Sequence, residues 1–212
     1  MIRLHQLGIL ETIGSSGTGL TLDQVLEIKK LCSSVTLIGD TDLAGQRAVD
    51  RSAKLIIGAG MNCNVVKLPS ADGQKADPDS FFTDPDQVKE FVKANIRDYI
   101  IDLAQSWQEK SHAPDFKLRA IEEICFLISK LNPSGHEVYI DQVSRLIKPK
   151  KAWKDKLKEI LKDSLPESEE KDFKRSLRTS ALRIGITTAS TRTITVITSI
   201  PRKASSGAAT LY

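Results

Sequence analysis

The run SVTLIGDTDLAGQRAVDR, residues 34–51, constrains this chain more than any other stretch. A short apolar β-like segment reaches Gly39, turns through Asp40, Thr41 and Asp42, and passes at once into a helical pattern. The neighbouring segments repeat that alternation: ETIGSS (11–16), a helix over 21–31, SVTLIGD (34–40), a helix over 43–59 and NCNVVKLP (62–69). Strand, helix and strand in regular succession predict an α/β fold with a parallel sheet and flanking helices.

The first full helix takes its apolar face from Leu22, Val25, Leu26 and Ile28, and Thr21 with Gln24 approximates a reciprocal capping box. The second packs through Ala44, Ala48, Ala53, Leu55, Ile56 and Ile57, with Gly58 and Gly60 able to end it. From Asp84 onward the apolar residues Val88, Phe91, Val92, Ile96, Tyr99, Ile100, Leu103 and Trp107 recur at helical spacing, so the sheet is read as finished. Further helices are expected at 115–131, 138–147 and 150–163. From about residue 176 the chain is rich in Ser, Thr, Ala and Arg. It contains the β-prone run TRTITVITSI but is otherwise read as mostly disordered.

Composition narrows the function classes. A hydrophobic fraction of 40% and a charged fraction of 27% exclude wholesale disorder. The net charge of +4 does not by itself indicate a nucleic-acid partner, so the placement of basic residues matters more. Cys32, Cys63 and Cys125 match no zinc spacing and are expected as reduced, mostly buried thiols in a cytoplasmic protein with no zinc site. No apolar run approaches the roughly 20 residues that span a bilayer. Lys148, Lys150, Lys151, Lys154, Lys156 and Lys158 surround Trp153 and read either as a phosphate-contacting patch or, preferably, as a solvated helix face over a packed indole. His5, His112 and His136 show no metal spacing.

Asp40 and Asp42 carry the chemistry. Both fall where a strand ends and a helix begins, the edge at which open α/β sheets place their ligands. Two carboxylates on one side of a turn repel each other, and a hard divalent cation relieves that repulsion. Gly39 and Gly45 bracket the turn and would let a phosphate or a metal-bound water approach the backbone, while Arg47 and Arg51 stand on the helix beyond it. The plainer alternative makes Asp42 a helix cap and Asp40 a loop residue. Asp77 and Asp79, near Lys67 and Lys75, form a second acidic pair after the next strand, with a helix start at Pro78 as its plain reading. Pairs after successive strands would share one sheet edge, an arrangement suited to two-metal phosphoryl chemistry.

In order along the chain, LHQLGI, SSGTGLT, LIGDTDLAGQRAVDR, VVKLP and DPDSF resemble the Toprim core of bacterial DnaG-type DNA primases, over residues 2 to about 83. The helices from 84 to about 163 resemble, more weakly, the segment downstream of Toprim in those proteins. The resemblance implies RNA primer synthesis on single-stranded DNA from nucleotides. Asp40, Asp42, Asp77 and Asp79 would help hold Mg²⁺ or Mn²⁺, Arg47, Arg51, Lys67 and Lys75 would meet phosphate or nucleic acid, and Gly17-Thr18 would shape the floor of the site. A replicative helicase is a partner of the family, and no membrane association is implied.

The family's core opens with a strand ending in an E-G-x-x-D motif that these residues do not contain, and Glu11 does not substitute for it. The expected organisation is a partial Toprim core over 1–83, a helical region over 84–165 and a low-complexity basic tail over 166–212. The expected function is that of a primase-like chain with weak or no synthesis alone. A misassigned start, a decayed copy or a short Toprim protein working with a partner would each account for it, and the tail resembles a shifted reading frame. A noncatalytic nucleic-acid or replisome-binding module and a Toprim nuclease are the alternatives.

Overall fold

The computed structural model describes residues 2–16, 19–69, 78–110, 113–164 and 193–199. A short helix α1 (Ile2–Gln6) leads into β1 (Thr12–Ser16), α2 (Leu22–Lys29), β2 (Ser34–Gly39), α3 (Leu43–Gly58) and β3 (Asn62–Val66). Next come α4 (Pro78–Phe81), α5 (Pro85–Asn95), β4 (Ile96–Asp98), α6 (Tyr99–Lys110), α7 (Pro114–Ser129), α8 (His136–Leu146), α9 (Lys150–Asp163) and β5 (Thr193–Ser199). The five strands form one open sheet in the order β1-β5-β2-β3-β4. β1, β5, β2 and β3 run parallel, and β4 closes one edge antiparallel to β3. The architecture is therefore α/β, an open sheet flanked by helices.

Strand periodicity sorts the core into two clusters. Val35, Leu37, Cys63 and Val65 face one side of the sheet and pack with Val25 and Ile28 of α2, Ala53, Ile56 and Ile57 of α3, and the apolar faces of α6 to α9. The alternate residues Ile38 and Val66 face the other side with Leu4 of α1, Leu68, Phe82 and Val88. Arg3 fixes α1 there by donating to the carbonyl oxygens of Phe82 and Thr83, each at 3.2 Å.

The local signals explain most element boundaries. The capping box of α2 is complete: the Gln24 amide donates to Thr21 Oγ1 at 3.3 Å, and the Thr21 amide donates to Gln24 Oε1 at 2.9 Å. Leu22 and Leu26, however, stand exposed on α2, and burial falls on Val25 and Ile28. Ala44 is likewise outside the packing face of α3, which is formed by Ala48, Ala53, Ile56 and Ile57. Gly60, at φ 78°, takes the left-handed geometry that turns the chain from α3 into β3.

One expectation needs correction and another an addition. The sheet does not end before residue 84, because Ile96–Asp98 pairs with Asn64–Val66 and interrupts the helical pattern. That pattern belongs to two helices whose apolar residues happen to keep phase across a three-residue strand. The segment read as mostly disordered also contains β5, seven residues paired along their whole length in the middle of the sheet. Every residue of β5 except Ser199 is β-branched, which favours an extended backbone once two neighbours are available. The remainder of 165–212 lies outside the described residues.

Candidate metal centre at the carboxyl edge

β2 is buried along nearly all its length and delivers Asp40 to the carboxyl edge of the sheet, where it is 3% exposed. Two residues later Asp42, in extended geometry at φ −73° and ψ 163°, caps α3 by accepting a hydrogen bond from the Gly45 amide at 2.7 Å. The helix-cap reading of Asp42 is thus correct as structure. It leaves the ligand reading open, since a carboxylate offers about four acceptor sites and the cap uses one. Thr41 continues the turn, and its carbonyl accepts from the Gln46 side chain at 3.0 Å.

Gly45 has a structural reason of its own, beside the ligand approach read from the sequence. A β-carbon there would lie 2.5 Å from the Asp40 carbonyl oxygen and 2.7 Å from the Asp40 β-carbon. The close approach that requires glycine is that of the first turn of α3 onto Asp40 itself, and it fixes the position of that aspartate. Gly19, at φ 134°, plays a similar part on the neighbouring loop, where a β-carbon would meet Ser52 Oγ at 3.1 Å. Beside it the Leu20 amide donates to Ser52 Oγ at 3.0 Å, so the loop after β1 is tied to a fully buried serine of α3.

The remaining sequence candidates divide. Gly39 is the last residue of β2. Arg47 and Arg51 are exposed on α3, and Asp79 is exposed in the first turn of α4. The Lys67 ammonium, largely exposed, is paired at 2.7 Å with the Asp102 carboxylate of α6. Gly17, Thr18, Lys75 and Asp77 lie outside the described residues. Among the described residues no group of three or more His, Cys, Asp or Glu converges on one point. Asp40 and Asp42 stand two residues apart on one turn, and their carboxylate oxygens are the hard donors a divalent cation would need.

A cavity of about 390 Å³ opens beside them between α3 and α6, with Asp40, Thr41, Gln46, Asp50, Lys67 and Asp102 on its walls. Its polar wall is not legible in the sequence, because the partners are far apart in the chain. The Tyr99 hydroxyl donates to Asp50, and Lys54 bridges Asp50 at 2.9 Å and Glu123 at 2.7 Å. Burial opposes the charge on Lys54, but its bonds to Glu123 and Asp50 outweigh that and raise its pKa. Burial, then the bond to Asp50, raises the Tyr99 pKa. On the far side of β4, Asp98 caps α6 through the Ile100 amide at 2.8 Å and accepts from the Tyr139 hydroxyl at 2.7 Å. Burial raises the pKa of Asp98, and those hydrogen bonds partly offset the shift.

Within the basic run around Trp153, Lys150, Lys154 and Lys156 face acids. Lys154 pairs with Glu137 at 2.6 Å, Lys156 with Glu122 at 3.2 Å and Glu159 at 3.0 Å, and Lys150 with Asp141. Trp153 is fully buried and donates through Nε1 to the Ile147 carbonyl at 2.7 Å. A packed indole beneath a helix face that is paired in part describes this segment.

Residues 1–82 match the family described as Toprim-like. The chain is similar to the DNA primase of Clostridium acetobutylicum, 33% identical over 150 residues, covering 68% of this chain and 24% of that protein. It is also similar to the DNA primase of Staphylococcus epidermidis, 27% identical over 117 residues, covering 54% of this chain and 19% of that protein. The chain therefore spans about a quarter or less of the length of these relatives. Among solved structures, a DNA primase domain from Pseudomonas aeruginosa superposes with a TM-score of 0.61 at 16% identity, over 74% of this chain and 50% of that one. The zinc-binding and RNA polymerase domains of the Aquifex aeolicus primase superpose with a TM-score of 0.57 at 21% identity, over 72% of this chain and 36% of that one. At these identities the two structures speak for the fold. Among the described residues, no helix is long and apolar enough to cross a membrane. Fold and sequence matches together show that the chain carries a Toprim-superfamily domain related to primase-like proteins.

Proposed function

We infer that this chain supplies the cation-holding part of a primase-type nucleotidyl-transfer site, with nucleotides and single-stranded DNA as ligands. The observation that carries the reading is the seating of Asp40 against Gly45, with Asp42 two residues on, at the carboxyl edge of β2. The donor set fits Mg²⁺ or Mn²⁺, which are hard cations commonly held by one or two carboxylates with phosphate oxygens and water completing the shell. When bound, such an ion activates a 3′-hydroxyl and stabilises the leaving pyrophosphate.

The protein's own residues do the positioning. Asp40 is held by burial and by the first turn of α3, so its carboxylate enters the site without further ordering. Asp42 is held by its cap bond to Gly45. In this reading the exposed Arg47 and Arg51 on α3 would neutralise phosphate, and Lys67 at the cavity rim would exchange its pairing with Asp102 for a phosphate oxygen. Asp79 joins the acidic set in this reading, together with Asp77.

Titration of the 212-residue chain with Mn²⁺, followed by water-proton relaxation, tests the proposal. Saturable binding that weakens by about tenfold or more in Asp40→Asn supports it, and binding indifferent to Asp40 and Asp42 overturns it. With single-stranded DNA and nucleotides we expect weak or no primer synthesis, because no E-G-x-x-D sequence stands within these residues. Cation-dependent cleavage of the DNA instead would favour the nuclease reading.

A further inference from the structure

We propose that the gap between β1 and β2 is a strand-acceptor site, and that Thr193–Ser199 occupies it as a separately docked strand which can be exchanged for the same segment supplied in trans. The inference does not rest on the proposed activity. It starts from the strand order β1-β5-β2-β3-β4, in which the strand latest in sequence stands between the first two. β1 and β2 are joined through α2, yet they are not neighbours; adjacent strands lie about 4.8 Å apart, so β1 and β2 are separated by roughly twice that. The crossover leaves a space one strand wide, open from both ladders.

The fit of the occupant is complete in register. Thr12 to Ser16 of β1 pair in order with Thr195 to Ser199, and Ser34 to Gly39 of β2 pair in order with Thr193 to Thr198. Among the described residues, β5 is the strand that pairs with β1, so the ladder of β1 depends on it. The chemistry of the occupant matches a central position: TITVITS has no charged residue and no proline, and each residue but the last is β-branched. The rest of the sheet has its own ladders and caps, since β3 pairs with β2 on one side and β4 on the other, and α2 and α3 begin at side-chain caps that do not involve β5. Strand addition of this kind draws its affinity from main-chain hydrogen bonds on both flanks. The register sets Thr198 opposite Gly39, the residue before Asp40.

The test uses the full chain. Val196 pairs with both Ile13 and Leu37, and Val196→Pro removes a backbone donor and introduces a ring that a central ladder rejects. A fluorescein-labelled peptide of residues 191–201 is expected to bind the Val196→Pro chain saturably and to bind the unsubstituted chain at least about tenfold more weakly, because there the slot is filled. The same peptide carrying Val196→Pro is expected not to bind. Equal binding to both chains, or none to a Val196→Pro chain that keeps its helical circular dichroism, overturns the proposal. Should that variant fail to fold, the register pair Ser34 and Thr193 gives a second measurement. Ser34→Cys with Thr193→Cys is expected to form a disulfide within one chain under mild oxidation, and a disulfide between chains, or none, overturns docking in cis.

Discussion

The Asp40 carbonyl oxygen stands 2.5 Å from where a β-carbon on Gly45 would be. No side chain fits at Gly45 while Asp40 keeps its place, so the helix after the turn and the aspartate before it are a single unit. Gly45→Ala is therefore expected to lower stability by about 1–3 kcal/mol, the usual cost of overpacking. Urea unfolding measures that loss, and Mn²⁺ titration should show weaker binding in the same variant, because relief of the clash displaces Asp40.

Asp42 is expected to have two separable contributions. Asp42→Ala removes the bond to the Gly45 amide and should cost about 1 kcal/mol in unfolding free energy. Asp42→Asn keeps a capping oxygen and should leave stability nearly unchanged while weakening Mn²⁺ binding. If Asn binds the ion as well as Asp does, the carboxylate is a cap and nothing more.

The hydroxyl of Tyr99 joins α6 to α3 through Asp50, which Lys54 also holds. Tyr99→Phe should destabilise by about 1 kcal/mol. In a chain already carrying Asp50→Asn the same change should cost less, because its acceptor has lost its charge. Equal costs in both backgrounds would place the contribution of Tyr99 in packing alone.

Alkaline pH should destabilise this protein through the buried Cys63 and Tyr99 and the half-buried Tyr139. Burial raises the pKa values of Cys63, Tyr99 and Tyr139, with nearby Asp98 or Asp50 adding to it. Each is neutral when protonated, so above about pH 9–10 the unfolded chain releases protons that the folded chain retains. Stability contributed by these groups is present below that range and falls as pH rises through it, by up to about 1.4 kcal/mol per pH unit for each group. Thermal midpoints should fall between about pH 8 and 11, and Tyr139→Phe should flatten the slope.

Trp153 anchors α9 through its buried ring and its bond to the Ile147 carbonyl. Trp153→Ala is expected to cost about 3–5 kcal/mol. Lys154→Gln on the same helix should leave single-stranded DNA binding unchanged in a filter or anisotropy assay, since its ammonium already faces Glu137.

How much of the fold is legible in the sequence depends on how local the physics is. β1, β2, β3 and the helices between them carry their own signals: Thr21 with Gln24, Asp42 before α3, and the apolar run Val35 to Ile38. Asp40 and Asp42 are visible because a strand, a turn and a helix fix both within a few residues. β4 is hidden because Ile96 to Asp98 is too short to show alternation and lies within a continuous helical pattern. β5 shows its β-propensity in TRTITVITSI, but nothing local can indicate that its neighbours are about 160 and 180 residues upstream. The Tyr99, Asp50, Lys54 and Glu123 network is of the same kind, assembled by three helices and readable only once they are packed. Gly45 stands out in the sequence without its packing being visible there, since proximity to a ligand and proximity to Asp40 leave the same mark.

The place of β5 also sets a timetable. A ribosome releases β1, β2 and β3 long before it reaches Thr193, and the middle of the sheet stays unbuilt until that segment emerges. Nascent chains of this protein thus present two unsatisfied strand edges through most of their synthesis. Their protection from one another on a polysome depends on how soon Thr193–Ser199 leaves the exit tunnel.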